Sequence, residues 1–291
     1  MRLLRYERDG RASLGALAGD GVVPLDGLGY STMLQLIQGG ASALDHIASY
    51  LSRASAELPV DQVRLLPPLE RPGKYLGIGM NYGKHADEAA KLGFQPPSHQ
   101  LWFNKQTSCI AGPFDDIDPG VTEKLDYEVE LAVVIGRSAN RVAESEAKNH
   151  VFGYLVANDV SARDWQFHSP TFTIGKSFDT HGPIGPWIVT SDEIPDPHQL
   201  DIRCFVNGEL RQSSNTSELI HSIWAQVSYL STAFTLEPGD LLATGTPSGV
   251  GIAMDPPRFL QLGDIIRCEI EAIGAIENRV GASGSQRPGV R

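Results

Sequence analysis

Two acidic residues spaced i, i+2 in a run that otherwise reads as buried strand are the first feature with chemical consequence. In Asp126-Tyr127-Glu128-Val129-Glu130-Leu131-Ala132-Val133-Val134-Ile135 the second half has the composition of a buried strand. Strand side chains alternate, so Glu128 and Glu130 share a face with Ala132 and Val134, ~6.6–6.8 Å apart along the chain. Two carboxylates on such a face repel each other and each loses hydration. Either that end of the strand reaches solvent, or a cation sits between them. A second apolar strand, Gly153-Tyr154-Leu155-Val156-Ala157-Asn158-Asp159, ends abruptly in a third acid. Three carboxylates form an all-oxygen set, which selects Mg²⁺ or Mn²⁺, with Ca²⁺ able to take their place, over zinc. Three protein ligands leave about three octahedral positions for water or a chelating substrate, which suits catalysis.

His85 and Glu88, in Asn81-Tyr82-Gly83-Lys84-His85-Ala86-Asp87-Glu88, are neighbours if that segment is helical. A carboxylate beside a histidine fixes its tautomer and raises its basicity, as proton transfer requires. Gly93, Pro96 and Pro97 end the helix, so the segment could be a lid over substrate. A surface helix with an ion pair would use the same letters. Lys176, between Gly175 and Ser177, would by itself be a solvated loop residue. The loop Gly245-Thr246-Pro247-Ser248-Gly249-Val250-Gly251 follows a strand but lacks the Gly-Lys-Ser/Thr of a phosphate loop. Its backbone N–H groups could receive a small carboxylate.

These groups must be positioned by a chain of 291 residues, long enough for a sizeable core. Lys and Arg number 24 against 35 Asp and Glu, a net charge of −11, which argues against a nucleic-acid or anionic-membrane partner. No apolar stretch approaches the ~20 residues of a membrane span, and the charged N-terminus is unlike a signal peptide. Three widely spaced cysteines give neither a disulfide framework nor a CxxC site, which points to the cytoplasm. With 30 Gly and 19 Pro, the chain favours short strands joined by tight turns. Residues 1–70 read as a small α+β domain, with strands at Leu3–Tyr6 and Val22–Leu25 and helices near Ser31–Ile37 and Ser42–Ser52. Residues 71–280 read as a mostly β region with strands from Tyr75–Ile78 to Ile265–Ile273, and 281–291 as a disordered tail. One amphipathic helix is expected from about Ser217 to Ala233, with Asn215 and Glu218 at capping-box spacing.

The segments NYxxHxxE, DYEVELAVVIG, GYLVANDVSARDWQ, GKSFDTHGPIGPW and LEPGDLLATGTPSGVG, in this order, resemble the fumarylacetoacetate hydrolase family. They cover Leu76 to about Glu271. The resemblance implies a mixed β-sandwich roll with a small N-terminal domain, a homodimer, and one divalent metal per subunit. It implies Glu128, Glu130 and Asp159 as metal ligands, His85 and Glu88 as a water-activating pair, and Lys176 as the group that polarises substrate. Thr246 and Gly245 would hold a substrate carboxylate, Arg163 and Gln166 would line the pocket, and Lys105 matches a family lysine that would count among the substrate-binding residues. His181 stands where many members have Phe, and Phe167–Thr173 matches no subgroup. The activity implied is metal-dependent C–C hydrolysis of an acylpyruvate-like 2,4-dioxo acid to a 2-oxo acid and a carboxylic acid. Oxaloacetate decarboxylation, or isomerase and hydratase chemistry on 2-hydroxy-dienoates, would use the same enolate. A Ca²⁺-stabilised β domain that binds a partner is the non-enzyme alternative, though it would need neither His85–Glu88 nor Lys176.

Overall fold

The computed structural model describes residues 1–281 apart from Leu92 and Pro96, so nearly all of the expected tail lies outside the described residues. A twelve-stranded sheet is the spine. Along it, Arg11–Ala18 leads to Arg2–Arg8, Gly182–Thr190, Val151–Asn158, Val129–Ile135, Leu241–Ala243, Tyr75–Gly79 and Leu101–Lys105. Leu3 pairs with Ile188, so the N-terminal segment extends the same sheet. Leu241–Ala243 runs parallel to Tyr75–Gly79, while the Val129–Ile135 strand is antiparallel to both its neighbours. Glu209–Asn215, Asp201–Val206, Ile265–Ile270 and Gly274–Arg279 form a second, antiparallel sheet. The fold is mostly β, with few helices, as the sequence suggests.

Alternation along Val129–Ile135 separates two cores. Val129, Leu131, Val133 and Ile135 pack with Ile202, Ile266 and Ile270 of the second sheet. Ala132 and Val134 pack with Leu3, Leu36, Ile37 and Ile47 of the N-terminal segment. A strand buried on both faces explains why its sequence is a continuous apolar run. Its pairing with Val151–Asn158 sets Val129 against Asn158 and Glu130 against Ala157, and the Asp159 N–H donates to the Glu128 carbonyl at 2.8 Å. That register brings all three acids to one end of the sheet.

Two local expectations change. Val22 pairs with Leu17 of Arg11–Ala18, a strand whose sequence RASLGALA carries little β preference and gives no clear strand signal. The helix expected from Ser217 begins only at Ile223, where Ser222 accepts the Ala225 N–H. Asn215 caps a short 3₁₀ turn at Thr216–Glu218 instead. The intervening backbone bonds to Asn81: Ile220 N–H to its carbonyl and His221 N–H to its side-chain oxygen, each at 2.8 Å. A tertiary partner thus replaces the first helical turns. Leu3 is fully buried between the N-terminal helices and the sheet. Leu3→Ala should therefore destabilise the protein by about 2–5 kcal/mol, read by denaturant unfolding.

Candidate metal centre and active site

The three acids meet in the interior. Glu128, Glu130 and Asp159 are all buried, and one carboxylate oxygen of each lies within 4.8 Å of the others. Of the two possibilities left by the sequence, a strand end in solvent is excluded. The Lys176 ammonium bridges two of the acids, donating to Glu128 Oε2 and to Asp159 Oδ2, both at 2.7 Å. Lys176 is 2 % exposed, so it is no solvated loop residue. Arg163 pairs with Glu128 Oε1 at 2.7 Å, and its Nε donates to Asp126 at 2.8 Å. Lys105 lies behind the acids: its ammonium donates to Asp159 Oδ1 at 2.6 Å and to the carbonyls of His181, at 3.0 Å, and Lys176. With three acceptors for its three protons, Lys105 positions the cluster and does not face the pocket.

Charge explains the titration of this group. Burial would raise the Glu128 pKa, but Lys176 and Arg163 override it and hold the carboxyl well below the usual range. Burial and the neighbouring Asp159 and Glu128 push Glu130 well above the usual range. Its carboxylate accepts the Gly245 N–H at 2.8 Å, and among the described residues no cationic side chain pairs with it directly. The formal charges of Asp126, Glu128, Glu130 and Asp159 exceed those of Lys105, Arg163 and Lys176 by one negative. Three convergent hard oxygens, one of them on a carboxylate with no directly paired cationic side chain, fit a divalent cation. With such an ion the cluster carries one net positive charge, complementary to an anionic substrate.

The pocket beside the cluster is lined at one end by Glu128, Arg163, Gln166, Lys176, Thr246, His85 and Glu88. His85 and Glu88 lie on the helix Gly83–Lys91, with Nδ1 and Oε2 3.3 Å apart. Glu88 also accepts the Gly249 N–H at 3.0 Å, tying helix to loop. Asn81 pins the helix entry by donating to the carbonyls of Thr244, at 2.8 Å, and His221, at 3.1 Å. The expected lid helix is thus anchored at its start and middle. The Thr246 hydroxyl donates to the Val129 carbonyl at 2.9 Å and accepts from Gln212 at 2.8 Å. Its proton is therefore engaged, and a carboxylate at that loop would have to be met by backbone N–H. Gly245 has its N–H on Glu130, so it orients an acid of the cluster.

Sequence reasoning missed Asp126 and Gln212. Asp126 accepts the N–H groups of Gly251, at 2.7 Å, and Ile252, at 3.0 Å, beside its bond to Arg163, so it joins the glycine loop to the cluster. Its place next to the Glu128 motif was the available signal, but nothing local distinguishes it from a surface acid. Gln212 donates to Thr246 and accepts the Val129 N–H at 3.0 Å, a contact visible only in three dimensions.

His181 is fully buried, stacked on Phe178 with ring centroids 5.1 Å apart. Its Nε2 donates to the Asp118 carbonyl at 2.9 Å, and burial pushes its pKa down to about 3. Because the folded state resists protonation that the unfolded chain accepts below about 6.5, stability should fall as pH drops from 6.5 toward 3. His181→Phe should remove this component, flattening the pH dependence of unfolding free energy by up to about 1.4 kcal/mol per pH unit in that window. Parallel slopes for wild type and variant would contradict the assignment of a neutral buried imidazole.

Comparison with known proteins adds to this geometry. Residues 74–281 match the family described as fumarylacetoacetate (FAA) hydrolase C-terminal, and residues 1–68 match Rv2993c-like, N-terminal. The mitochondrial oxaloacetate tautomerase FAHD2B of Bos taurus is 40% identical over 290 residues, covering 96% of this chain and 91% of the relative. Among solved structures, a fumarylacetoacetate hydrolase from Exiguobacterium antarcticum superposes with TM-score 0.85 at 39% identity, covering 97% of this chain and 99% of the other. Maleylpyruvate hydrolase from Sphingobium sp. SYK-6, in complex with manganese(II) ion and pyruvate, gives 0.82 at 31% identity, covering 97% and 99%. With a family match across most of its length and a relative this similar end to end, the chain belongs to the fumarylacetoacetate hydrolase family.

Proposed function

We propose that the chain is a divalent-metal-dependent enzyme that interconverts the keto and enol forms of a small 2-oxo acid, with oxaloacetate the first substrate to test. The observation that carries this reading is that one pocket is lined by Glu128 of the buried carboxylate cluster, by the fixed Lys176 ammonium and by a histidine oriented by a carboxylate. The end-to-end similarity to an oxaloacetate tautomerase supports proton transfer over chemistry that needs an attacking water. Glu128, Glu130 and Asp159 would hold Mg²⁺ or Mn²⁺, which when bound supplies positive charge to the 2-oxo-carboxylate head. Lys176 adds a preorganised charge where negative charge develops on the substrate oxygen. Glu88, held by Gly249, orients His85, which accepts the proton of the enol hydroxyl while a proton returns to C3. One O–H bond breaks and one C–H bond forms, so the reaction is an isomerisation. Arg163 keeps Glu128 in place, and Gln166 and the Thr246 loop close the polar wall.

A second reading is hydrolysis of an acylpyruvate, supported by the likeness to a maleylpyruvate hydrolase complexed with manganese and pyruvate. There His85 would deprotonate a water that attacks the 4-carbonyl, and cleavage of C3–C4 would leave the same enolate. Oxaloacetate decarboxylation reaches that enolate by loss of CO₂. A homodimer belongs to this reading by family resemblance, and light scattering should give twice the monomer mass.

Chelation by EDTA should abolish activity reversibly, and Mg²⁺ or Mn²⁺ should raise the unfolding temperature by several degrees, because an ion bound only by the folded state stabilises it. Full activity in protein shown by elemental analysis to be metal-free would sink the proposal. Ketonisation of enol-oxaloacetate, followed by ultraviolet absorbance, should fall about 10²–10⁴-fold in His85→Ala. Glu128→Gln should lose both activity and the metal-induced thermal shift. Acylpyruvate cleavage outpacing ketonisation would favour the hydrolytic reading instead.

A further inference from the structure

The pocket is divided chemically along its length. At the polar end most donors are already engaged: Arg163 by Asp126, Glu128 and Gln166, and two of the three Lys176 protons by Glu128 and Asp159. What remains there, the third Lys176 proton, the Gln166 amide, two Arg163 N–H groups, His85 and backbone N–H groups, suits the polar head of a 2-oxo acid. The remaining described lining is apolar and includes Leu101, Phe94, Phe103, Phe167, Phe172 and Ile252. Its rings form a continuous surface. Phe94 stacks on Phe167 at 5.0 Å, Phe167 meets Phe172 edge-on at 6.0 Å, and Phe172 lies 6.3 Å from Phe103. The Lys176 ammonium sits 5.0 Å over the Phe103 ring, which marks the border between the two halves.

A second carboxylate pushed toward that wall would shed its hydration without meeting a donor side chain. An aromatic or branched alkyl group would gain burial and edge contacts with the rings. We infer that the substrates of this site are 2-oxo acids with a single carboxylate and an apolar group on C3, an arylpyruvate being the best-fitting class, and that they are turned over in preference to dicarboxylates such as oxaloacetate. This inference rests on the tautomerase reading proposed above. The reaction is again an isomerisation: the enol O–H proton leaves oxygen, the C2–C3 double bond becomes the C2–O double bond, and C3 gains one proton.

The test compares kcat/KM for ketonisation of enol-phenylpyruvate and enol-oxaloacetate by the metal-loaded enzyme. The expected result is a phenylpyruvate-to-oxaloacetate ratio above one in wild type. Phe167 is 44% exposed, so Phe167→Arg should fold, and it should lower that ratio at least tenfold by placing a cation at the apolar end. Phe167→Leu, which keeps the wall apolar, should leave the ratio within about threefold. If Phe167→Arg melts early, Leu101→Arg, at another residue of the apolar lining, carries the same expectation. Turnover of oxaloacetate with none of phenylpyruvate would overturn the inference and leave the tautomerase reading intact. Turnover of neither enol would overturn both. An unchanged ratio in a folded Phe167→Arg protein would also overturn it.

Discussion

Mutual repulsion among three buried carboxylates is the constraint around which the molecule is arranged. Glu128, Glu130 and Asp159 converge, buried, at the end of two paired strands. Breaking one buried ion pair in such a setting costs about 3–5 kcal/mol, so each compensating cation must itself be held firmly. Lys105, Lys176 and Arg163 meet that need from three separate parts of the chain. Arg163 in turn requires Asp126, and Asp126 gathers the Gly251 and Ile252 N–H groups. The compensation therefore runs from the sheet into the glycine loop, and from that loop, through Gly249, to Glu88 and His85. A functional site and a folding problem are solved by the same set of contacts.

The parts of this arrangement legible in the sequence are those encoded by local periodicity. Alternation along residues 128–134 placed Glu128 and Glu130 on one face, and the abrupt acid after an apolar run marked Asp159; the register of the two strands does the rest. The i, i+3 spacing of His85 and Glu88 likewise needed only a helix. Lys105 was legible as a residue but not as a role, because its three acceptors, Asp159 and the carbonyls of Lys176 and His181, come from distant positions. The helix expected from Ser217 shows the same limit in backbone form. Its apolar period is real, yet Asn81, about 140 positions earlier, captures the N–H groups that would have begun it.

The replacement of an aromatic by His181 is intelligible in the same terms. A neutral imidazole stacks on Phe178 much as a ring would, and its one donor finds the Asp118 carbonyl. Its main-chain carbonyl, which any residue would provide, is what Lys105 uses. The side chain can thus vary while the electrostatic support of the cluster is preserved.

The apolar lining of the pocket bears on which of the proposed reactions the site would favour. Hydrolysis needs a water held near the carbon beyond C3, whereas tautomerisation needs only a proton at C3. A wall of Phe94, Phe103, Phe167 and Phe172 offers no hydrogen-bonding side chain to fix such a water, and an apolar substituent packed against it would displace solvent there. His85 lines the same pocket and is tethered to Glu88. Under the proposed reading, one preorganised head site would serve either enolate chemistry, and the surface facing the distal group would decide whether a water can attack beyond C3.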